Sequence, residues 1–124
     1  MNVVDSSGWL EFFASGPNAS IFAQPIQDVK HLLVPVITLT EVFKRVLQQK
    51  DEPSALQAAG HMMQGQVIPL NSELAIEAAR LGHLIKIPLA DSIILATARY
   101  YNATIWTQDE DFKSISGVRY VPKR

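Results

Sequence analysis

The chain has 124 residues, of which 48% are hydrophobic, and its net charge is −1. This length is enough for one well-packed core but not for two, so we expect a single domain over residues 1–124. The balance of 11 basic and 12 acidic residues excludes overall attraction to nucleic acid, so any such binding must come from a local basic patch.

Other absences narrow the class of protein. Without cysteine the chain forms no disulfide, which fits a cytoplasmic protein. The amino terminus has neither a basic leader nor an apolar run of signal-peptide length, and no run of about 18 apolar residues occurs anywhere. We therefore predict a cytoplasmic protein with no membrane-spanning segment.

Short apolar runs alternate with helical patterns along the whole chain. In chain order, strands are predicted at residues 3–4, 31–36, 67–68, 104–106 and 118–121, the last of them at a sheet edge. Helices are predicted to begin at residue 6 and to span residues 19–29, 39–50, 54–63, 73–84 and 92–101. Strands that alternate with helices imply right-handed crossovers and a parallel sheet covered on both faces. The sequence therefore predicts an α/β fold.

Several helices carry a more specific prediction. Pro25 should kink or split the second helix. Thr38 and Glu41 match a capping box at the start of the third helix. The sixth helix is apolar almost all round, which is typical of a buried helix. In the fourth helix, the residues predicted to face the core are Leu56, Ala59, Met62 and Met63.

Acidic residues follow or adjoin the strand ends at four places. Asp5 follows the first strand, Glu41 lies near the start of the helix after the second strand, and Asp91 lies near the start of the sixth helix. Asp109, Glu110 and Asp111 follow the fourth strand. Because the carboxyl ends of parallel strands share one edge of the sheet, we expect acids from these four places to converge.

Each acid also has a purely structural explanation. Asp5 and Asp109 can cap the turns that follow them, because an aspartate carboxylate accepts hydrogen bonds from free backbone N–H groups. Glu41 can complete the capping box with Thr38. Asp91 can stabilise its helix through the helix dipole.

Converging carboxylates repel one another unless a cation neutralises them. The chain has no cysteine, and its histidines, His31, His61 and His83, are scattered, so the ligand set suits Mg²⁺ or Mn²⁺ rather than zinc. Such a site commonly orients a phosphate and lowers the pKa of bound water, which indicates phosphodiester hydrolysis. Candidates for a phosphate-binding rim are Lys44, Arg45, Arg80, Lys86, Arg99 and Lys113.

Four segments of the sequence resemble a known family when taken together. They are Val-Val-Asp-Ser-Ser from Val3, Ile-Thr-Leu-Thr-Glu-Val from Ile37, Pro-Leu-Ala-Asp-Ser-Ile-Ile-Leu-Ala-Thr-Ala from Pro88, and Ile-Trp-Thr-Gln-Asp-Glu-Asp-Phe from Ile105. In order and spacing they resemble the PIN domain, specifically the VapC-like toxins of type II toxin–antitoxin modules. The resemblance implies a three-layer α/β/α sandwich with a parallel sheet of four to five strands. It also implies Mg²⁺- or Mn²⁺-dependent endoribonuclease activity.

The resemblance also assigns roles to individual residues. Asp5 and Asp91 match the family's two metal-binding aspartates, and Glu41 and Asp109 match the acids that complete its catalytic quartet and contribute to metal binding. The matched supporting positions are Ser7, Thr107 and Asp111, with the role of Asp111 left open.

The family's partners are RNA, a second copy of the chain and a cognate antitoxin that covers the active-site groove. The early aromatic residues Trp9, Phe12 and Phe22 can line such a groove or pack in the core. Two alternatives to a ribonuclease stay open: an inactive PIN-like binding or regulatory module, and a DNA or flap nuclease, or a phosphatase, with the same metal chemistry.

Overall fold

The computed structural model describes all 124 residues and shows five strands, six α-helices and two short 3₁₀ turns. The strands are β1 (Asn2–Val4), β2 (Leu32–Pro35), β3 (Gln66–Ile68), β4 (Thr104–Thr107) and β5 (Val118–Tyr120). The helices are α1 (Ser6–Phe13), α2 (Ala19–Gln27), α3 (Val36–Gln49), α4 (Glu52–Met62), α5 (Ser72–Ile85) and α6 (Leu89–Tyr100). The 3₁₀ turns are Val29–His31 and Glu110–Phe112.

All five strands are parallel and lie in the order β3-β2-β1-β4-β5. Val3 and Val4 in the central strand have opposite surroundings, because successive side chains of a strand point to opposite faces. Val4 packs with residues of α1 to α4, whereas Val3 packs with residues of α5 and α6. This arrangement confirms the predicted three-layer α/β/α sandwich, with β5 at a sheet edge as predicted.

The predicted capping box at the third helix is wrong. Helix α3 begins at Val36, directly after β2, so that Pro35 occupies the N-cap position and Thr38 is already helical. The Thr38 hydroxyl donates to the Pro35 carbonyl oxygen at 2.7 Å. The Glu41 carboxylate is thereby released from any capping role and faces another part of the molecule.

The predicted core-facing stripe of the fourth helix is also wrong in part. Helix α4 begins at Glu52 and buries Ala55, Ala58 and Met62. Leu56 and Met63 are instead more than half exposed. An error at two positions is expected when small residues such as alanine face the core, because a prediction from hydrophobicity alone ranks leucine above alanine.

Two other helices differ from their predictions in detail. Helix α2 is not split by Pro25 but contains it and ends at Gln27. Helix α6 begins at Leu89 and is buried from Ser92 to Ala98, as its apolar sequence predicted.

No single helix is long and apolar enough to cross a membrane. Helices α5 and α6 meet that test only as a pair, and they are bent by 115° at the break between them.

Candidate active site

The pairing of β1 with β4 brings the two ends of the chain together. Val4 is in register with Trp106, and the Asp5 backbone N–H donates to the Trp106 carbonyl oxygen at 3.1 Å. Asp5 and the segment after Thr107 therefore leave the same edge of the sheet side by side. This is the edge at which parallel α/β sheets hold their ligands.

The Asp5 side chain is buried, with 2% of the residue exposed, and is held by three donors. Its Oδ1 accepts from the Ser7 hydroxyl at 2.7 Å and from the Gly8 backbone N–H at 3.0 Å. Its Oδ2 accepts from the Thr107 hydroxyl at 2.6 Å. Because a carboxylate offers about four acceptor positions, one remains available for a further contact.

Gly8 is required where α1 passes over β1. A Cβ atom at this position would lie 2.7 Å from Val4 Cγ1 and 2.8 Å from the Phe22 ring. Only glycine therefore allows helix α1 to start close enough for its N–H to reach Asp5. The N-cap explanation of Asp5 is confirmed, and it does not exclude a site role, because the cap fixes the carboxylate at the sheet edge.

Thr107 links two of the predicted acids through one hydroxyl. This hydroxyl donates to Asp5 and accepts from the Asp109 backbone N–H at 2.9 Å. The Ser7 hydroxyl makes a similar bridge, because it donates to Asp5 and accepts from the Gln108 backbone N–H at 3.2 Å. Both hydroxyls therefore hold the loop after β4 against the start of α1.

Three carboxylates form a compact group that we call the acid cluster: Asp91, Asp109 and Asp111. One oxygen from each lies within 4.8 Å of the others. Asp109 also caps the 3₁₀ turn that follows it, since its Oδ1 accepts from the Asp111 backbone N–H at 2.9 Å. The capping explanation of Asp109 is thus confirmed, and the same turn brings the Asp111 carboxylate into the cluster.

Asp5 and Glu41 lie outside this compact group but carry charge beside it. Electrostatic repulsion from Asp5 and Glu41 contributes to the raised pKa of Asp91. The Glu41 Oε1 accepts from the Ser6 hydroxyl at 2.6 Å. Because Ser6 directly follows Asp5 in the chain, this hydrogen bond holds Glu41 beside the start of α1. The structure thus brings all four predicted acids, with Asp111, to one edge of the sheet.

Burial and the proximity of other acids raise the pKa values of two carboxylates at the site. Burial, together with the negative charges of Asp109, Asp5, Asp111 and Glu41, raises the pKa of Asp91 to about 7. Burial also raises the pKa of Asp5 to about 6, even though the hydrogen bonds from Thr107, Ser7 and Gly8 act in the opposite direction.

No basic side chain compensates this negative charge. The ion pairs in the chain join His31 to Asp28 and Arg80 to Glu77, and neither includes an acid of the site. Carboxylate oxygens without a cationic partner are the ligands that Mg²⁺ and Mn²⁺ prefer. The donor set therefore fits a divalent metal.

Other predicted residues lie away from the acids. His61 packs against the rings of Trp9, Phe12 and Phe13 at centroid distances of 5.4–6.2 Å. Trp9 and Phe22 are fully buried, so core packing explains both. Among the predicted rim cations, Arg80 pairs with Glu77.

Two residues at the site were not predicted. Ser6 donates to Glu41, and Gln108 is buried between the Asn18 side chain and the Ser7 hydroxyl. Ser6 follows the first aspartate directly, so its position was a usable signal. A glutamine at the end of a strand carries no comparable signal.

The sequence of the chain matches the model of a known protein family. The model of the PIN domain matches residues 3–118, which include every acid described above. The chain belongs to the PIN domain family. No protein among those with curated descriptions matches it.

Solved structures share the fold of this PIN domain over nearly its whole length. A chain of a toxin–antitoxin complex from Klebsiella pneumoniae superposes with a TM-score of 0.81 at 23% identity, with 100% of each chain covered. VapC20 of Mycobacterium tuberculosis, described as a sarcin-ricin loop cleaving toxin, gives 0.77 at 15% identity over 94% of this chain and 95% of its own. A chain of the VapBC2 complex of Rickettsia felis with promoter DNA gives 0.75 at 14% identity over 98% and 97%. The family model thus confirms the predicted PIN family, and the solved structures confirm that the chain has the fold of VapC-like toxins.

We expect Thr107→Val to lower the free energy of unfolding by about 1 to 3 kcal/mol. Valine has nearly the same shape but leaves the buried Asp5 Oδ2 without its donor and the Asp109 N–H without its acceptor. Urea unfolding measures the difference. Thr104→Val is the matched control, since Thr104 is an exposed residue of the same strand. Equal stability of the two variants would show that the Thr107 hydroxyl does not hold the site together.

Proposed function

We propose that this PIN domain is a Mg²⁺- or Mn²⁺-dependent endoribonuclease and the toxin of a toxin–antitoxin pair. The observation that carries this proposal is the acid cluster, in which three carboxylates lie within 4.8 Å of one another without a cationic side chain. Such an arrangement costs stability unless a metal ion neutralises it. In an enzyme, the metal ion that offsets this repulsion would also take part in catalysis.

The surroundings of each acid indicate its role at the proposed metal site. Asp91, Asp109 and Asp111 would hold the metal ion, and Asp5 would contact it directly or through water by its one available acceptor position. A bound divalent ion orients a phosphate and lowers the pKa of a coordinated water.

Glu41 has a separate task in this proposal. Its Oε1 is held by Ser6, which leaves the other oxygen free to orient the attacking water and accept its proton. Asp5 contributes by fixing the Thr107 and Ser7 hydroxyls, and these hydroxyls hold the Asp109 loop in place.

The structural neighbours support RNA and an antitoxin as partners. VapC20 is described as a toxin that cleaves the sarcin-ricin loop, and the Klebsiella pneumoniae and Rickettsia felis proteins come from toxin–antitoxin complexes. We infer by analogy that this chain cuts single-stranded regions of RNA, forms a homodimer, acts in the cytoplasm and is silenced by a cognate antitoxin.

The alternative of an inactive binding module explains the acids less completely. Helix and turn capping accounts for Asp5 and Asp109. It does not account for Asp111. Asp91 does lie in the first turn of α6, where the helix dipole favours a carboxylate, but its pKa is still raised, so this position does not offset burial and the repulsion from the other acids. Capping alone would leave this repulsion without any function.

We expect Mn²⁺ to raise the melting temperature and to switch on cleavage of single-stranded RNA. A ligand that binds only the folded state at 100 times its Kd stabilises that state by about 2.7 kcal/mol. Differential scanning fluorimetry with Mn²⁺, Mg²⁺ and EDTA measures the first effect, and gel analysis of labelled RNA and DNA of the same sequence measures the second.

The result also separates the alternatives. Stability that is unchanged at millimolar Mn²⁺ would contradict a metal site and favour the binding module. Cleavage of the DNA strand in preference to the RNA strand would favour the DNA nuclease.

A further inference from the structure

A cavity of about 780 Å³ lies between α1, α3 and α4, next to the acids. Its volume falls within the range of roughly 300–1,000 Å³ that is typical of ligand clefts. Ser7, which donates to Asp5, and Gln108, which precedes Asp109 in the chain, form the border nearest the proposed metal site. A polymer bound at the acids can therefore continue into this cavity.

The cavity wall carries an excess of positive charge. Three cations line it, Arg45, Lys50 and Lys123, whereas Glu11 is its one acid. Glu11 is already engaged, because its Oε2 accepts from the Asn18 backbone N–H at 2.7 Å. The free charges therefore favour an anionic occupant such as a phosphodiester chain.

Aromatic side chains give the same cavity a surface suited to a nucleobase. Phe13 and His61 line it, and the two rings lie 5.6 Å apart in an edge-to-face arrangement. Trp9 stacks on Phe13 at 5.6 Å and holds the ring in place from the core. Bases of single-stranded nucleic acid commonly stack on aromatic side chains presented in this way.

The side-chain amide of Gln108, which lines the cavity, is held in one orientation by Asn18. The Asn18 Nδ2 donates to the Pro122 carbonyl oxygen at 3.0 Å, and a proline carbonyl can only accept. The same Nδ2 donates to Gln108 Oε1 at 3.0 Å. Gln108 must therefore present its oxygen to Asn18, which leaves its Nε2 amide donor without a protein partner at the cavity.

We propose that this cavity binds a nucleotide next to the scissile bond and that Gln108 selects a base with a keto group over one with an amino group. The donor on Nε2 pairs with a carbonyl such as O4 of uracil and repels the amino group that cytosine carries at the same position. Asn18 acts as a positioning residue, because it prevents the Gln108 amide from turning over. This inference rests on RNA being the substrate, as proposed above.

We expect the protein to bind a uridine hexamer about fivefold more tightly than a cytidine hexamer, the discrimination of roughly one hydrogen bond. The two RNAs differ in the base group that Gln108 faces. Fluorescence anisotropy of labelled hexamers in EDTA measures the ratio without any cleavage. Loss of cleavage with this ratio intact would contradict the proposed enzyme but not the base selection.

Substitutions of Gln108 test whether this residue sets the ratio. Gln108→Glu keeps the oxygen that accepts from Asn18 but replaces the donor by an acceptor, so the preference should invert towards cytidine. Gln108→Ala should bring the ratio to about one. Gln48→Glu is the matched control for the added charge, because Gln48 is an exposed residue of α3 outside the cavity.

The cations should behave differently from the glutamine. Lys50→Ala should weaken binding of both hexamers equally and reduce its salt dependence, because a phosphate contact carries no base information. An unchanged uridine preference in Gln108→Ala, or equal binding of the two hexamers by the unsubstituted protein, would overturn the base selection. Binding of an acidic peptide but of neither hexamer would assign the cavity to a protein partner and overturn the proposal.

Discussion

Asp91→Asn should reduce metal-dependent RNA cleavage by about 100-fold or more while the fold persists. The substitution removes a charged oxygen ligand from the centre of the acid cluster, and losses of this order follow when a metal site loses a ligand or a key electrostatic partner. The stabilisation by Mn²⁺ should disappear together with cleavage. Measured cleavage rates and melting temperatures of the same preparation test both effects.

The same substitution should stabilise the metal-free protein at pH 8. Asparagine removes the repulsion that contributes to the raised pKa of Asp91, and a gain of about 1 to 2 kcal/mol remains after allowance for the partial exposure of the side chain to solvent. Glu110→Gln is the matched control: it removes one charge from the same loop, outside the acid cluster. Full cleavage by Asp91→Asn, or equal loss in Glu110→Gln, would contradict the proposed ligand role.

The metal-free protein should lose stability as the pH rises from about 4 to about 7. The pKa of Asp5 is raised to about 6 and that of Asp91 to about 7 in the folded state, from 3.8. In this pH window the folded chain therefore binds more protons than the unfolded chain, and the free energy of unfolding falls with increasing pH. The two groups together should account for a decrease of about 3 kcal/mol, or roughly 10 °C in melting temperature.

Melting curves in EDTA between pH 4 and pH 8 measure this decrease. Asp91→Asn should make the slope shallower, whereas Mn²⁺ should oppose it, because the metal binds the deprotonated carboxylates. A metal-free protein that is more stable at pH 8 than at pH 5 would contradict the raised pKa values of Asp5 and Asp91.

The fold was predictable because its strands are short apolar runs that end in recognisable turns. Val3 and Val4 before Asp5, and Ile105 and Trp106 before Thr107, indicated buried parallel strands whose ends meet. The gathering of Asp5 and Asp109 followed from that topology. The place of Asp91 depended in addition on how α6 packs, because no strand directly precedes this helix. The start of α3 was not predicted, because a chain that enters a helix directly from Pro35 leaves no room for the capping box that Thr38 suggested.

Other parts of the site depend on local geometry that a sequence pattern does not contain. Asp111 belongs to the acid cluster because a 3₁₀ turn follows Asp109, and a pair of aspartates in a loop is common without such a turn. Gln108 acquires a defined direction only through Asn18 and Pro122, which are distant in sequence. Interactions of this kind become visible only when the chain is folded.

The central position of β1 also determines when the acids can meet during folding. Asp5 is separated by about a hundred residues from the loop that it contacts through Thr107, and this contact requires β4 to pair with β1. Closing so long a loop is slow compared with forming the helices between them. We therefore expect a nascent chain to form helices and the β1–β2–β3 half of the sheet before it assembles the acid cluster. The acids of the site therefore come together only after β4 has been synthesised and has paired with β1.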